Sequence, residues 1–307
     1  MTFRKLLFLM TLALVLVVAG ACAAQPTPTA RPTETAAPTD VPTEEATSES
    51  AALPDLEGRT VTVAVENAYP PFNSIDPESG EAVGWDYDAV GEICARLNCV
   101  PEFIQTSWDG MLVAIANGEF DMAADGITIT AERDETVDFS MGYMTVEQAI
   151  LVRADEERFS TAEELAADTS LIIGSQTGTT NYDVAVELVG AERVQAFDLF
   201  PVAVQALIAG DVDAVIMDNT AGLGYVGANP ESVKIVGSSL RSDALGFAFP
   251  PGSELVAAVN AALESMIADG TLQEINARWF VPAEPAAEEE APAEATEAAA
   301  AEATATP

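Results

Sequence analysis

Arg133 is a cation set among acids. It belongs to the stretch Asp121-Met-Ala-Ala-Asp125-Gly126-Ile-Thr128-Ile-Thr130-Ala-Glu132-Arg133, which closes on Asp138-Phe-Ser140. The chain of 307 residues has 50 Asp+Glu against 12 Lys+Arg, a net charge of −38. A guanidinium needs an anion, and its planar fork matches a carboxylate in two-point contact. The partner is either a ligand or a neighbouring acid such as Glu132 or Asp134, and spacing alone does not choose. Asp218 poses the opposite problem. It ends the apolar run Ala214–Met217, where an unpaired buried carboxylate is costly, so it either meets a cation or caps the helix that follows. Gly178-Thr179-Thr180 opens a helix, and glycine there lets a ligand approach backbone N–H groups that favour an anion. A plain helix cap has the same sequence.

The functions left out are equally informative. The chain has no His, hence no His base and no Cys-His pair. It has no nucleophile elbow and no CxxC, so no ordinary metal site is expected, no cofactor, and no catalysis. With no basic patch to meet phosphates, nucleic acid is excluded as a partner.

The ends of the chain read as address and tether. Arg4 and Lys5 precede the apolar run Leu6–Val18, then Ala19-Gly20-Ala21-Cys22. The run is shorter than the ~20 residues of a membrane span and fits an export signal. The small residues before Cys22 resemble a bacterial lipoprotein processing site, with residues 1–21 removed and Cys22 lipidated; ordinary cleavage near Ala24 is the alternative. Residues 22–54 are rich in Thr, Pro, Ala and Glu, too polar to offset their ordering entropy, and read as a disordered tether. Residues 283–307, acidic and Ala/Glu-rich, are expected to be a disordered tail. Export permits a disulfide, and Cys94 and Cys99 flank what reads as a helix end; two buried thiols are the alternative.

Between these ends the elements alternate. Strands are expected at Thr60–Val65, Val100–Gln105, Asp121–Ile129, Ala149–Val152, Ser170–Gly174, Gln195–Phe197, Ala214–Met217, Val233–Val236 and Gly246–Phe249. Helices are expected at Asp86–Leu97, Asp109–Asn117, Thr161–Ala167, Gly178–Val189, Pro201–Ala209, Ser253–Asp269 and Leu272–Trp279, and one capped by Thr130 that carries Arg133. Tyr69-Pro-Pro-Phe72 must be a loop, because two prolines forbid regular pairing. Such alternation implies an α/β fold with mainly parallel sheets covered by helices.

Six motifs in order, Tyr69-Pro-Pro-Phe72, Gly84-Trp-Asp86-Tyr-Asp88, Trp108-Asp-Gly110, the Asp121–Arg133 stretch, Gly178-Thr-Thr180 and Asp213-Ala-Val-Ile-Met-Asp218, resemble the solute-binding proteins of polar amino acid ABC transporters. The resemblance spans roughly residues 55–282. It implies a two-lobed type II periplasmic-binding-protein fold: lobe one from 55–142 and 246–282, lobe two from 148–240, hinges at 143–147 and 241–245, and a ligand cleft between. It implies a monomer that holds a free amino acid and delivers it to a membrane permease, anchored by lipid to the outer face of the cytoplasmic membrane or periplasmic. It assigns Arg133, Thr128 and Thr180 to the ligand's carboxylate and Asp218 to its ammonium, with Gly126 and Gly178 lining the site. Tyr69 and Trp108 would sandwich the ligand's side chain, as aromatic faces suit a cation. Relatives usually carry Asp or Glu at the position of Glu66 and Ala or Ser at that of Asp125. If Glu66, Asp125 and Asp86 face one cleft they need a cation, which favours arginine, then lysine, ornithine or histidine. An enzyme like the cyclohexadienyl dehydratases of this fold, and a sensor for a separate signalling partner, are the alternatives.

Overall fold

The computed structural model describes residues 52–280. The export signal, Cys22, nearly all of the tether and the tail from residue 283 lie outside the described residues.

Two sheets form the body. In the first, the strands run in the order Cys99–Gln105, Arg59–Val65, Met122–Ala123, Ala248–Phe249, Asp138–Phe139. The first three are parallel, and Ala248–Phe249 runs antiparallel between its two neighbours. In the second, the order is Val194–Phe197, Ile173–Gln176, Ala214–Asp218, Met144–Arg153, Val233–Val236. Met144–Arg153 is antiparallel to both of its neighbours there. Strands buried on both faces read as unbroken apolar runs, and every residue of Ala214–Asp218 is buried. Each sheet, with its helices, makes one lobe.

The chain passes between sheets twice, and the two passages lie side by side. Ser242–Leu245 pairs antiparallel with Glu147 back to Met144. The segments expected as hinges are thus paired strands. A buried aromatic group fastens their lobe-one ends. Trp85 stacks on Tyr143 at 4.5 Å and on Phe247 at 6.1 Å between ring centres, with Phe72 and Phe280 closing the cluster. Its indole N–H donates to Asn276 Oδ1 at 2.7 Å.

Three local readings need correction. The strand expected over Asp121–Ile129 is regular only at Met122–Ala123; beyond it the chain leaves the sheet plane, and Thr128 bridges to Leu245 instead. The helix expected to carry Arg133 is a single 3-10 turn, Arg133–Glu135, although Thr130 Oγ1 does accept the Arg133 N–H at 3.1 Å. The two prolines do turn the chain, but between short strands that form a third sheet, Ala68–Tyr69, Asn73–Ile75 and Ala82–Val83. The cysteines expected as a candidate bridge are joined: Cys94, in the last turn of the helix Trp85–Leu97, is bonded to Cys99, which opens the next strand.

Gly84 shows why one motif is spelled as it is. It precedes the helix Trp85–Leu97 with φ 145°, and a Cβ there would lie 2.1 Å from the Phe72 carbonyl oxygen. That carbonyl accepts the Asp86 N–H at 2.9 Å, and the Pro71 carbonyl accepts Trp85 N–H at 3.0 Å. The loop and the helix start lock together only where no side chain intervenes. Gly84→Ala should therefore lower stability by about 3 kcal/mol or more, read as a fall in the denaturant midpoint.

Candidate functional site

The carboxyl ends of both sheets face one narrow cleft of about 20 Å³, room for little more than a water molecule with the lobes this close. Lobe one lines it with Glu66, Tyr69, Trp108, Asp125, Gly126, Thr128 and Arg133; lobe two supplies Gln176, Thr179, Thr180, Asn181, Phe200 and Asp218. Ligand sites in open α/β sheets occupy this position, beyond the strands' carboxyl ends.

Arg133 spans the two lobes. Its Nη1 donates to the Thr128 carbonyl at 2.9 Å and its Nη2 to the Gly178 carbonyl at 3.3 Å. Its guanidinium lies 5.2 Å from the centre of the Trp108 ring. Neither Glu132 nor Asp134 is among its hydrogen-bond partners. Burial lowers its pKa, while Asp183, Asp218 and Asp243 favour its charge. Two carbonyls leave most of its five N–H donors unspent.

Asp218 sits opposite, also without a paired charge. Its Oδ2 accepts the Tyr69 hydroxyl at 2.7 Å and its Oδ1 accepts Asn181 Nδ2 at 2.9 Å. It stands at the N-cap of the helix Asn219–Ala228 but makes no side-chain cap hydrogen bond, so the capping alternative fails. Burial raises its pKa. The helix-opening threonines divide their labour. Thr179 is the cap, accepting Tyr182 N–H at 3.1 Å, which frees Thr180 to face the cleft, 3.3 Å from Thr128 Oγ1. Gly178 lines the outer groove beside Arg133 and not the inner cleft.

The aromatic sandwich needs revision. Tyr69 is itself the middle of a stack, 5.5 Å from Phe72 and 5.3 Å from Phe200, and its hydroxyl is spent on Asp218. Trp108 faces Arg133. The acids also separate. Glu66 is held by Gln176, whose Nε2 lies 2.9 and 3.1 Å from its two oxygens, and by the Trp108 N–H at 3.3 Å. Asp125 Oδ1 accepts Asn73 Nδ2 at 2.6 Å and the Glu66 N–H at 3.2 Å. Asp86 does not reach the cleft: it is fully buried in its helix, and its contact there is Asn73 Nδ2 at 2.8 Å. The expected ring of three carboxylates is two at the cleft and one behind. Gln176, Asn181, Phe200 and Asn73 were not anticipated. The signal for the first two was positional: each is a buried amide beside the Gly178-Thr-Thr180 turn.

Burial raises the pKa of Glu66, against the opposing pull of its donors. Burial first, and the charge of Glu66 second, push Asp125 up to about 7. A carboxyl whose folded pKa is raised binds more protons folded than unfolded, so its contribution falls as pH rises from about 4 to 7. Asp125→Asn should therefore stabilise the unliganded protein at pH 8 by on the order of 2–4 kcal/mol. It should change little at pH 4, as read from thermal melts at both values.

The family model for bacterial extracellular solute-binding proteins, family 3, matches residues 61–282. The L-cystine-binding protein TcyJ of Escherichia coli (strain K12) is 30% identical over 226 residues, 73% of this chain and 84% of that protein. An ancestral arginine-binding protein bound to glutamine superposes with a TM-score of 0.67 at 38% identity, over 72% of this chain and 97% of that one. The arginine-, lysine-, histidine-binding protein ArtJ from Geobacillus stearothermophilus gives 0.68 at 33% identity, over 74% and 97%. Glu66, Arg133 and Asp218 all fall inside the matched span, and the chain belongs to the bacterial extracellular solute-binding proteins, family 3.

Proposed function

We propose that this chain captures a free amino acid for an ABC importer, clamping the ligand's carboxylate and ammonium between lobes. One observation carries the reading. Arg133 from lobe one and Asp218 from lobe two are opposite charges facing one cleft, each held by neutral groups and not by a counter-ion of the protein. A zwitterion satisfies both at once. Its carboxylate meets the guanidinium and the threonine hydroxyls; its ammonium meets Asp218. Each lobe holds one jaw, so the ligand favours the closed form, with the paired strands 144–147 and 242–245 as the hinge. TcyJ, ArtJ and the ancestral protein, all amino acid binders by name, support the ligand class.

The side chain we assign is cationic, arginine ahead of lysine, ornithine or histidine. Asp125 is the acid that supports this, because Glu66 is already engaged by Gln176. ArtJ, an arginine, lysine and histidine binder by its name, agrees. The ancestral relative bound to glutamine makes a neutral amide the natural competitor. The wider setting belongs to the same proposal: a monomer, exported, with Cys22 as the site of a lipid anchor and a membrane permease as partner.

Calorimetry against the twenty amino acids tests the reading. Arg133→Ala should lose about 2–5 kcal/mol for every ligand, and near-native affinity would remove Arg133 from the site. Asp125→Ala should lose about 1.5–3 kcal/mol for arginine and little for glutamine. Equal loss for both would leave the clamp standing and retire the cationic assignment.

A further inference from the structure

Asn73 was not anticipated as a functional residue, yet it holds three groups in fixed relation. Its Oδ1 accepts the Asn67 N–H at 2.7 Å, which sets the orientation of the amide. Its Nδ2 has two hydrogens, and two carboxyls receive them: Asp125 Oδ1 at 2.6 Å and Asp86 Oδ2 at 2.8 Å. Asn73 is fully buried. Asp125 Oδ1 is also engaged by the Glu66 N–H, so both donors approach it from the protein side. Asp125 Oδ2 has no hydrogen bond among the described residues, and Asp125 lines the cleft.

The titratable groups that act on Asp125 and Asp86 are acids and phenols. They are Glu66 at the end of its strand, Tyr69 from the small sheet, Asp86 and Tyr87 from the helix Trp85–Leu97, and Tyr143 beside the crossing. Among the described residues no Lys or Arg donates to Asp125 or Asp86. Asp86 Oδ1 is buried without a partner. A second full negative charge behind Asp125 is strongly disfavoured, and burial raises the pKa of Asp86 well above the usual carboxylate range. Asp125, at the cleft wall, is the acid of the two that a ligand can reach.

We propose that Asn73 is a positioning residue that holds Asp125 toward the cleft and makes capture of a cationic amino acid an exchange, one ligand cation in and one proton out to solvent. The inference rests on the cationic reading of the ligand. Its physical basis is charge constancy: replacing the Asp125 proton by a guanidinium or ammonium leaves the buried site's net charge unchanged. The raised pKa of Asp125, about 7, puts the exchange in an ordinary pH range. About half a proton should be released per arginine at pH 7, and close to one at pH 6. The sign follows from the ionised form being the binding form. Affinity for arginine is flat above about pH 8 and falls by about tenfold per unit below about pH 6.

The test is calorimetry of the whole protein with arginine in two buffers of different ionisation heat, from pH 5.5 to 9. Wild type should show the proton release and the slope. Asp125→Asn, which keeps shape but does not titrate, should bind more weakly, with both abolished. Asn73→Ala removes a donor that favours the ionised carboxyl. It should therefore shift the midpoint upward by about one unit, weakening arginine about fivefold at pH 7 and hardly at all at pH 9. Circular dichroism checks that the variants are folded. If wild type binds arginine without releasing a proton at pH 6, or if Asn73→Ala weakens binding equally at pH 6.5 and 9, the inference is overturned and the ligand class stands. If glutamine binds and no cationic amino acid does, the ligand class fails and the inference fails with it.

Discussion

A carboxylate withdrawn from water has to be hydrogen-bonded, paired or protonated, and this cleft withdraws several at once. Glu66, Asp125 and Asp218 are buried at its wall, and Asp86 lies behind them. Each is satisfied differently. Gln176 and the Trp108 N–H hold Glu66; Tyr69 and Asn181 hold Asp218; Asn73 divides its amide between Asp125 and Asp86. Every one of these donors is neutral. The neighbouring architecture follows from that requirement: an amide at the end of the strand Ile173–Gln176, a tyrosine turned edge-out of an aromatic stack, an asparagine inside a small three-stranded sheet. Neutral donors keep the acids buried without cancelling their charge. Under the proposed function, that uncancelled charge is what a cationic side chain would meet.

The same pattern joins the lobes. Glu66 and Tyr69 belong to lobe one, while Gln176 and Asp218 belong to lobe two. Arg133 reaches the Gly178 carbonyl across the same gap. The lobes thus touch through the groups that would grip a ligand, and few other polar contacts are needed to bring them together.

Much of this was legible in the sequence. Alternating strands and helices gave the α/β class, and the motif order gave the two lobes, because both depend on residue pattern over long stretches. Arg133, Thr128, Thr180, Asp125, Glu66 and Asp218 came to one place because strand ends converge. What was not legible is the pairing within the site. No spacing rule reveals that Gln176 of one lobe meets Glu66 of the other, some 110 residues earlier, or that Asp86 is turned inward behind Asn73. The helix expected around Arg133 stops for a local reason: Thr130 Oγ1 accepts the Arg133 N–H, but the strand Asp138–Phe139 begins a few residues beyond Glu135, which leaves room for a single turn. Tyr69 and Trp108 were recognised as aromatic walls, but the partners they take are an acid and a guanidinium of the protein itself.

The interrupted course of lobe one has a consequence for how the chain assembles as it emerges from its N-terminus to its C-terminus. Lobe two is one continuous stretch, and all its strands have been made before residue 246 appears. Lobe one is different. Asp138–Phe139 joins its sheet through Ala248–Phe249 alone, and Ala248–Phe249 is synthesised more than a hundred residues later. The first half of lobe one must wait, its edge unfilled and its aromatic cluster lacking Phe247 and Phe280, until lobe two has emerged. Lobe two is therefore placed to fold first, and the polypeptide that completes lobe one arrives as a closing piece threaded back alongside strand Met144–Arg153.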